Sequence, residues 1–264
     1  MTTFGNIFKT TLAAGSIALM SLGVAQSASA DELDTIREEG VIRIAMSGAY
    51  PPFNFVNEQN EVVGFDPAIG AEIAKRIGVE VEIVTTAWDG IIGGLLANKY
   101  DAIVGSMSIT AERQEVVDFV GPYYRMSRGI FVKEGSDIGS IADIAGRTVG
   151  VTLGETHEQW ARGQSDWKIN TYKGLPELLL ELDNGRIDAI VTDDIPVLLA
   201  VQKNGNAISA LDTSGLSGVA DQAGIAIRKG NPELFAAMQA ALDEMQADGT
   251  YTAIAIEWIG DDIR

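Results

Sequence analysis

The chain has 264 residues, with 37 acidic side chains against 19 basic ones and a formal net charge of −18 at pH 7. A surface this acidic repels nucleic acid and anionic lipid, which argues against both as partners. The chain contains no cysteine, so its stability must come from hydrophobic burial rather than from disulfides, and its length is enough for two lobes.

Residues 1–30 have the pattern of a secretory signal peptide. Their one charged side chain, Lys9, precedes an apolar run over 12–24, and the tripeptide Ala-Ser-Ala at 28–30 comes directly before Asp31. A short apolar segment followed by an A-x-A site is typical of a cleaved export signal. We therefore predict a periplasmic mature chain that starts at Asp31 and carries a net charge of −19. The absence of a cysteine at the cleavage site argues against a lipid anchor, and no later segment has the roughly 18 apolar residues of a membrane span.

From Asp31 to residue 104 the sequence alternates between helix and strand patterns. Asp66-Pro67 opens a segment whose apolar residues recur at helical spacing, and Gly78 closes it. The order β-α-β-α-β favours a mainly parallel sheet flanked by helices, which is an α/β fold. The predicted elements are a helix over 33–39, strands over 41–45 and 62–65, a helix over 66–77, a strand over 79–83, a helix over 90–97 and a strand over 101–104.

Two loops in this half carry aromatic side chains at strand ends. The segment from Ser47 to Phe55 combines two prolines and a glycine with three aromatic residues, so it can hold a ring at a fixed angle. Tyr50 is the predicted pocket wall in this loop, and packing in the core is the alternative. Trp88 lies in the second loop, after the strand over 79–83.

The segment over 101–124 reads as a buried strand, a polar loop over 105–108 and a helix opened by Thr110. A strand-to-helix junction of this kind is where ligands bind in α/β sheets. Ser106 and Ser108 offer hydroxyl groups in the loop, beside the unpaired amides at the start of the helix. The junction is therefore a predicted anion site.

Arg113 lies in the first turn of that helix. Its planar guanidinium suits two-point contact with a carboxylate, which makes a carboxylate the predicted guest. The alternative is that Arg113 pairs with Glu112 or Glu115 on a solvated helix face.

The second half of the chain repeats the pattern of the first. Asp-Ala-Ile-Val stands at 101–104 and again at 188–191, each time after a helix and before polar residues. Two copies of one strand end imply two similar lobes that present polar side chains at the same edge. Asp193 would then face Arg113, a pair that complements a zwitterion. The predicted elements are a helix over 140–145, a strand over 148–151, a helix begun by Thr156, a strand over 169–172, a helix from Pro176 to Gly185 and a strand over 187–193.

The end of the chain is predicted to return to the first lobe. A strand over 223–228 leads to a helix capped by Asn231-Pro232, and Gly249 separates this helix from a last one. Two connections between lobes form a hinge that closes on a ligand. The predicted lobes are 31–126 with 222–264, and 127–221.

Seven short motifs stand in a fixed order along the mature chain: Tyr50-Pro51-Pro52-Phe53, Gly64-Phe65-Asp66, Asp101 to Val104, Ser108 to Arg113, Val149-Gly150-Val151, Asp188 to Asp193, and Asp248 to Tyr251. This order resembles that of the periplasmic amino-acid-binding proteins of ABC importers, the group with the histidine, lysine/arginine/ornithine and glutamine binders. The resemblance implies a two-lobe periplasmic-binding-protein-like fold with two hinge crossovers. It also implies capture of an L-amino acid in the cleft and delivery to the membrane permease of an ABC importer, by a monomer without a cofactor or a metal.

The resemblance also implies roles for individual residues. Arg113, helped by Ser108 and Thr156, would bind the ligand α-carboxylate; Asp193 would bind the α-ammonium. Tyr50 and Trp88 would sandwich the ligand side chain. The whole predicted ligand-binding set is Tyr50, Trp88, Gly105, Ser106, Ser108, Arg113, Thr152, Thr156 and Asp193.

The chain departs from the family pattern in the side-chain pocket. Ser47 stands where basic-amino-acid binders have an acid, Thr152 where the glutamine binder has lysine, and Glu155 interrupts a Gly-Thr run. These residues favour a polar uncharged ligand side chain, or a cationic one if Glu155 points inward. An acidic ligand is the least expected.

Three further possibilities stay open on the sequence. His157, the one histidine, is expected as a solvated or hydrogen-bonded helix residue, with a pocket-lining role as the alternative. The main rival function is an exported prephenate- or arogenate-type dehydratase on the same fold, in which Glu155 would act as general acid or base. A receptor sensor domain is a weaker rival, because it would need a membrane segment after Arg264.

Overall fold

The computed structural model describes residues 1–2, 31–205, 207–214, 216 and 220–264. The predicted signal peptide and its cleavage motif therefore lie outside the described residues, apart from residues 1–2. Within the described part of the chain, no helix combines the length and the apolar character that crossing a membrane requires.

Nine α-helices occur in the described residues, and their ends follow local sequence signals. Asp31 caps the first helix through its side chain, which accepts from Leu33 N. Gly78 ends the second helix at φ 87°, a left-handed conformation that favours glycine, as predicted. The helices are α1 Glu32–Glu39, α2 Phe65–Ile77, α3 Ile91–Leu96, α4 Ala111–Gln114, α5 Thr156–Arg162, α6 Leu175–Asp183, α7 Asp194–Asn204, α8 Pro232–Asp248 and α9 Thr250–Trp258.

The strands over 49–50, 54–56, 117–133 and 208–210 were not predicted, and one predicted loop is part of a strand. Residues 105–108, predicted as a loop, continue the strand that begins at Ala102. All seven residues of this strand are buried, including its two serines, and polar residues of this kind had favoured a loop in the prediction. The strands are β1 Val41–Met46, β2 Ala49–Tyr50, β3 Asn54–Val56, β4 Val62–Val63, β5 Glu80–Thr85, β6 Ala102–Ser108, β7 Val117–Lys133, β8 Thr148–Thr152, β9 Lys168–Tyr172, β10 Ala189–Asp193, β11 Ile208–Ala210 and β12 Ala220–Arg228.

Two groups of parallel strands are joined by two long antiparallel strands. In the first group β1 pairs with β5 and β6, and in the second β8 pairs with β9 and β10. The 17-residue β7 pairs with β12 through its first part and with β10 through its last part. This is the predicted two-lobed α/β fold, with β7 and β12 running between the groups. The lobe boundaries at 126/127 and 221/222 stay a prediction.

The repeated Asp-Ala-Ile-Val motif has the same structural role in both groups. Asp101 N donates to Arg43 O and its Oδ2 accepts from Arg43 N, both at 2.8 Å. Asp188 N donates to Thr148 O and its Oδ2 accepts from Thr148 N, also at 2.8 Å. Each aspartate thus fixes the start of a central strand against its parallel neighbour, and the two following strand ends are held in equivalent positions.

Candidate functional site

A cavity lies where the carboxyl ends of the two groups of strands face each other. Its lining comes from the ends of β6, β8 and β10 and from the loops after β1, β5 and β9, and it contains about 430 Å³ of empty space, partly open to solvent. All nine residues of the predicted ligand-binding set line it. The full lining is Ser47, Ala49, Tyr50, Trp88, Gly105, Ser106, Ser108, Arg113, Thr152, Glu155, Thr156, His157, Lys173, Gly174 and Asp193.

Arg113 enters the cavity from the first turn of α4. Thr110 caps this helix by accepting from Arg113 N, so the start of the helix is where the sequence predicted it. Arg113 Nη1 donates to Ser108 O at 2.9 Å, and the guanidinium carbon lies 5.8 Å from the centre of a Trp88 ring. Burial lowers the pKa of Arg113. Burial of a cation is costly unless an anion meets it.

No Asp or Glu among the described residues lies within 4.0 Å of the Arg113 side-chain nitrogens. Glu112 and Glu115, the alternative partners weighed from the sequence, are both exposed and outside ion-pairing distance. The guanidinium therefore lines the cavity with bonds to two backbone carbonyls, Ser108 O at 2.9 Å and Gly154 O at 3.5 Å, and with donors to spare.

Asp193 ends β10 and is 6% exposed. Its Oδ2 accepts a hydrogen bond from the hydroxyl of Tyr50, a contact that links the small sheet of β2, β3 and β4 to the second group of strands. His157 Nε2 lies 3.1 Å from Asp193 Oδ1, but this oxygen has no properly directed hydrogen-bond partner within the described structure. Asp193 Oδ1 therefore has the imidazole of His157 beside it and keeps the capacity to accept a directed hydrogen bond.

His157 is 3% exposed, so it is not a solvated residue; it is the hydrogen-bonded helix residue of the other expectation, and it also lines the cavity. Arg128 Nε donates to His157 Nδ1 at 3.1 Å. Because Nδ1 accepts this bond, the neutral ring carries its hydrogen on Nε2, on the side of Asp193. No sequence pattern predicts this contact, since Arg128 and His157 are 29 positions apart.

Ser106 is held by a buried network beneath the cavity. Its Oγ donates to Asp66 Oδ2 at 2.8 Å and its N donates to Tyr123 OH at 2.8 Å. Asp66 also accepts from Asn54 Nδ2 at 2.6 Å and from Tyr123 OH at 2.7 Å. Burial raises the pKa of Asp66 to about 6 even though three hydrogen bonds favour its charged form. Ser106 has both of its donors directed away from the cavity, which sequence reasoning about its hydroxyl did not anticipate.

Ser106 also has an unusual backbone. Its φ of +61° lies in the left-handed region, which is uncommon for residues other than glycine. The bonds to Asp66 and Tyr123 hold it there. A side-chain carbon at Gly105 would lie 3.6 Å from the Trp88 ring.

Glu155 and Thr152 form the polar wall after β8. Glu155 is the N-cap residue of α5, yet its side chain does not cap that helix. Its Oε2 and Thr152 Oγ1 are buried and have no hydrogen-bond partner among the described residues. Burial raises the pKa of Glu155 to about 7, and the charge of His157 has a smaller effect that lowers it. The inward orientation considered from the sequence is the one observed.

The remaining lining residues complete the rim. Thr156 is the first residue of α5, and Lys173 is exposed beside Gly174. Ala49 in β2 and Gly174 after β9 lie close together at the cavity. Such contacts could not be predicted from the sequence, because they depend on how the two groups face each other.

Residues 42–261 match the model of the bacterial extracellular solute-binding proteins, family 3. The L-cystine-binding protein TcyJ of Escherichia coli (strain K12) is 33% identical over 246 residues, which cover 91% of this chain and 91% of that protein. The L-arginine-binding protein of Pseudomonas aeruginosa is 31% identical over 239 residues, which cover 88% of this chain and 92% of that protein.

A solved structure with the same fold is that of the ancestral amino acid-binding protein AncCDT-1, described as a precursor of cyclohexadienyl dehydratase. It has a TM-score of 0.79 and 36% sequence identity, and the match covers 86% of this chain and 99% of that one. The similarity in fold therefore covers most of this chain, including the strands that line the cavity.

Proposed function

Since the chain belongs to the bacterial extracellular solute-binding proteins, family 3, we propose that it captures an L-amino acid between its lobes and delivers it to an ABC importer. The relatives that match it over most of their length are named as cystine- and arginine-binding proteins. This supports an amino acid as the solute and the membrane permease of an importer as the partner.

Arg113 and Asp193 carry the proposal. The cavity has a half-buried cation that lacks an anion within 4.0 Å and, at the end of β10, a buried carboxylate whose Oδ1 has His157 Nε2 at 3.1 Å but no directed hydrogen bond within the described structure. The α-carboxylate and α-ammonium of an amino acid supply both missing charges at once. Since each buried charge is costly without its partner, a zwitterion fits this cavity better than a ligand with one charge.

The other residues of the predicted set complete the binding mode. Ser108 and Thr156 help Arg113 to hold the carboxylate, while Tyr50 and Trp88 flank the ligand side chain. Tyr50 has a second role, since its hydroxyl donates to Asp193 and orients the carboxylate for the ammonium. Burial raises the pKa of Tyr50 well above its usual value, so the hydroxyl keeps its proton.

The experiment is calorimetric titration of the purified protein, freed of carried-over ligand by unfolding and refolding, with the common L-amino acids, ornithine and cystine. We expect saturable binding of at least one of them, with Kd near 1 μM or roughly −8 kcal/mol. The best ligand is then compared with its carboxamide and its N-acetyl derivative, which should both bind far more weakly. Equal binding of the derivatives would contradict the zwitterion site, and failure of every amino acid would contradict the proposed function.

Gly174 lies at the cavity in close contact with Ala49. Its φ of 177° is accessible to any residue, but a methyl group there would lie 2.6 Å from Ala49 O. Gly174→Ala should therefore leave each lobe folded and obstruct their approach, weakening ligand binding by about 1–3 kcal/mol, as overpacking generally does. Titration calorimetry measures the loss.

Gly93→Ala is the matched control, because nothing lies within 4 Å of the carbon that it adds. It lies in α3 and should leave ligand affinity unchanged. If Gly174→Ala bound ligand as tightly as the wild type, binding would not require the approach of Ala49 and Gly174 that the structure has.

We further propose that the protein binds its solute without converting it. The dehydratase alternative has one favourable observation, the buried Glu155 with a pKa of about 7, which suits a general acid. On incubation with the protein, prephenate should be consumed no faster than it is without the protein. Formation of phenylpyruvate with turnover would favour the enzyme.

The proposed location and state of the protein follow from the same function. The relatives support an exported protein, and the acidic, monomeric mature chain from Asp31 would diffuse freely in the periplasm. Amino-terminal sequencing of the protein from a periplasmic extract should give Asp31 as the first residue.

A further inference from the structure

After the two charges of an amino acid backbone are met, one buried acid in the cavity has no counterpart. Glu155 Oε2 is buried and has no hydrogen-bond partner in the described part of the chain. No Lys or Arg nitrogen of the described residues lies within 4.0 Å of its carboxylate. A carboxylate in this position stabilises a positive charge that arrives with the ligand.

The local backbone directs Glu155 inward. Residues at the N-cap of a helix ordinarily use a side-chain oxygen to accept from the first amides, but Glu155 makes no such bond. Glu158 serves the neighbouring Gly154 amide instead, through Oε2 at 2.7 Å. Glu155 is therefore not required for the capping of α5, and its carboxylate lines the cavity.

Acceptors outnumber donors on this side of the cavity. Thr152 Oγ1 and Asp193 Oδ1 are also buried and without a hydrogen-bond partner among the described residues. Asp193 is assigned to the α-ammonium under the proposed function. Glu155 then remains as an acceptor for a further donor group, beside the Thr152 hydroxyl, which favours its charged form.

We propose that Glu155, with Thr152, binds a second positively charged nitrogen of the ligand, so that the solute is an amino acid with a cationic group on its side chain. This inference rests on the proposed function and narrows it. The cationic nitrogen has two possible sources with the same chemistry: the side chain of a basic amino acid, or the second ammonium of a double zwitterion such as cystine.

Binding of such a ligand changes the protonation of Glu155. Its pKa of about 7 reflects burial, and the groups that face it are Arg113 from α4, His157 from α5, Asp193 from β10 and Tyr50 from β2. A cation beside Glu155 lowers this pKa, so binding at pH 7 or just below releases a proton. By linkage, affinity for the cationic ligand must rise as the pH rises through 7.

The test compares ligands that share a shape and differ in charge. L-arginine and L-citrulline form one such pair. L-cystine and the mixed disulfide of cysteine with 3-mercaptopropionic acid, which lacks the second ammonium, form the other. In one pair, we expect the member with the additional cationic nitrogen to bind about 30-fold or more tightly than the member that lacks it, as for a desolvated charge pair. The pair that shows this preference identifies the source of the nitrogen.

Glu155→Gln should remove most of the preference and abolish the proton release, which is measured by repeating the titration in buffers of different ionisation enthalpy. Glu112→Gln, an equal change of charge beside Arg113 but outside the cavity lining, should leave both unchanged. Because Glu155 and His157 influence each other's pKa, the preference within the ligand pairs, rather than the proton release alone, decides the assignment of the cationic nitrogen to Glu155.

Two results would overturn the inference while leaving the proposed function standing. One is tight binding of amino acids without preference for the cationic member of either pair. The other is a preference that Glu155→Gln retains in full. Failure of every amino acid to bind would instead remove the proposed function, and this inference with it.

Discussion

Replacing Arg113 by alanine is expected to weaken amino-acid binding by about 2–5 kcal/mol, roughly 30- to 5,000-fold in Kd. The ligand carboxylate would lose its one buried cationic partner among the described lining residues and would remain desolvated in the closed cavity. Trp88 would also lose the guanidinium that lies 5.8 Å from its ring centre. Calorimetric titration with the ligand identified for the wild type measures the loss.

Two variants make this result interpretable. Arg113→Lys keeps the charge without the planar fork of donors, so an intermediate affinity is expected. Arg162→Ala removes an arginine that is 52% exposed on α5 and pairs with Glu158, and its effect on binding should stay below about 1 kcal/mol. Arg113→Ala that binds as the wild type does would show that the carboxylate lies elsewhere.

Replacing Asp66 by alanine is expected to lower the free energy of unfolding by about 3 kcal/mol. Three buried donors, from Asn54, Ser106 and Tyr123, would lose their acceptor at about 1–3 kcal/mol each. Removal of a buried charge offsets part of this, by about 3 kcal/mol for a pKa that is raised from 3.8 to about 6. Urea unfolding followed by circular dichroism measures the change.

Asp66→Asn is the matched control, since it keeps one acceptor oxygen and the shape, and it should lose less stability than alanine. The pH dependence separates the charge from the bonds. Folded Asp66 binds a proton below about pH 6, whereas the unfolded chain does so only near 3.8. The wild type should therefore gain stability relative to Asp66→Asn as the pH falls from 7 to 5. Equal stability of the alanine variant and the wild type would contradict a supporting role for this network.

Residue type and spacing were sufficient to predict much of the site. Thr110 and Arg113 stand in a capped first turn after a buried strand, and local sequence determines this arrangement. The two Asp-Ala-Ile-Val motifs predicted equivalent strand ends, and Asp101 and Asp188 make the same pair of bonds in each group. Contacts within a strand-to-helix junction are short-range, so the sequence pattern contains them.

The rest of the site depends on contacts between distant segments. Ser106 turns its hydroxyl to Asp66, 40 positions away, because its φ is +61° and its strand continues through the predicted loop. His157 is buried by Arg128 and Asp193 rather than by residues on its own helix. Neither arrangement has a periodic signal in the sequence, since both arise from tertiary packing.

The most direct test of the central claim measures the coupling between Arg113 and the ligand α-carboxylate. Four titrations are needed: the wild type and Arg113→Ala, each with the identified amino acid and with its carboxamide. If Arg113 binds the carboxylate, removing both groups should cost less than the sum of the separate losses, with a coupling free energy of about 1.5 kcal/mol or more. A coupling within about 0.5 kcal/mol of zero would mean that the two groups act independently, and it would contradict capture of an amino acid between Arg113 and Asp193.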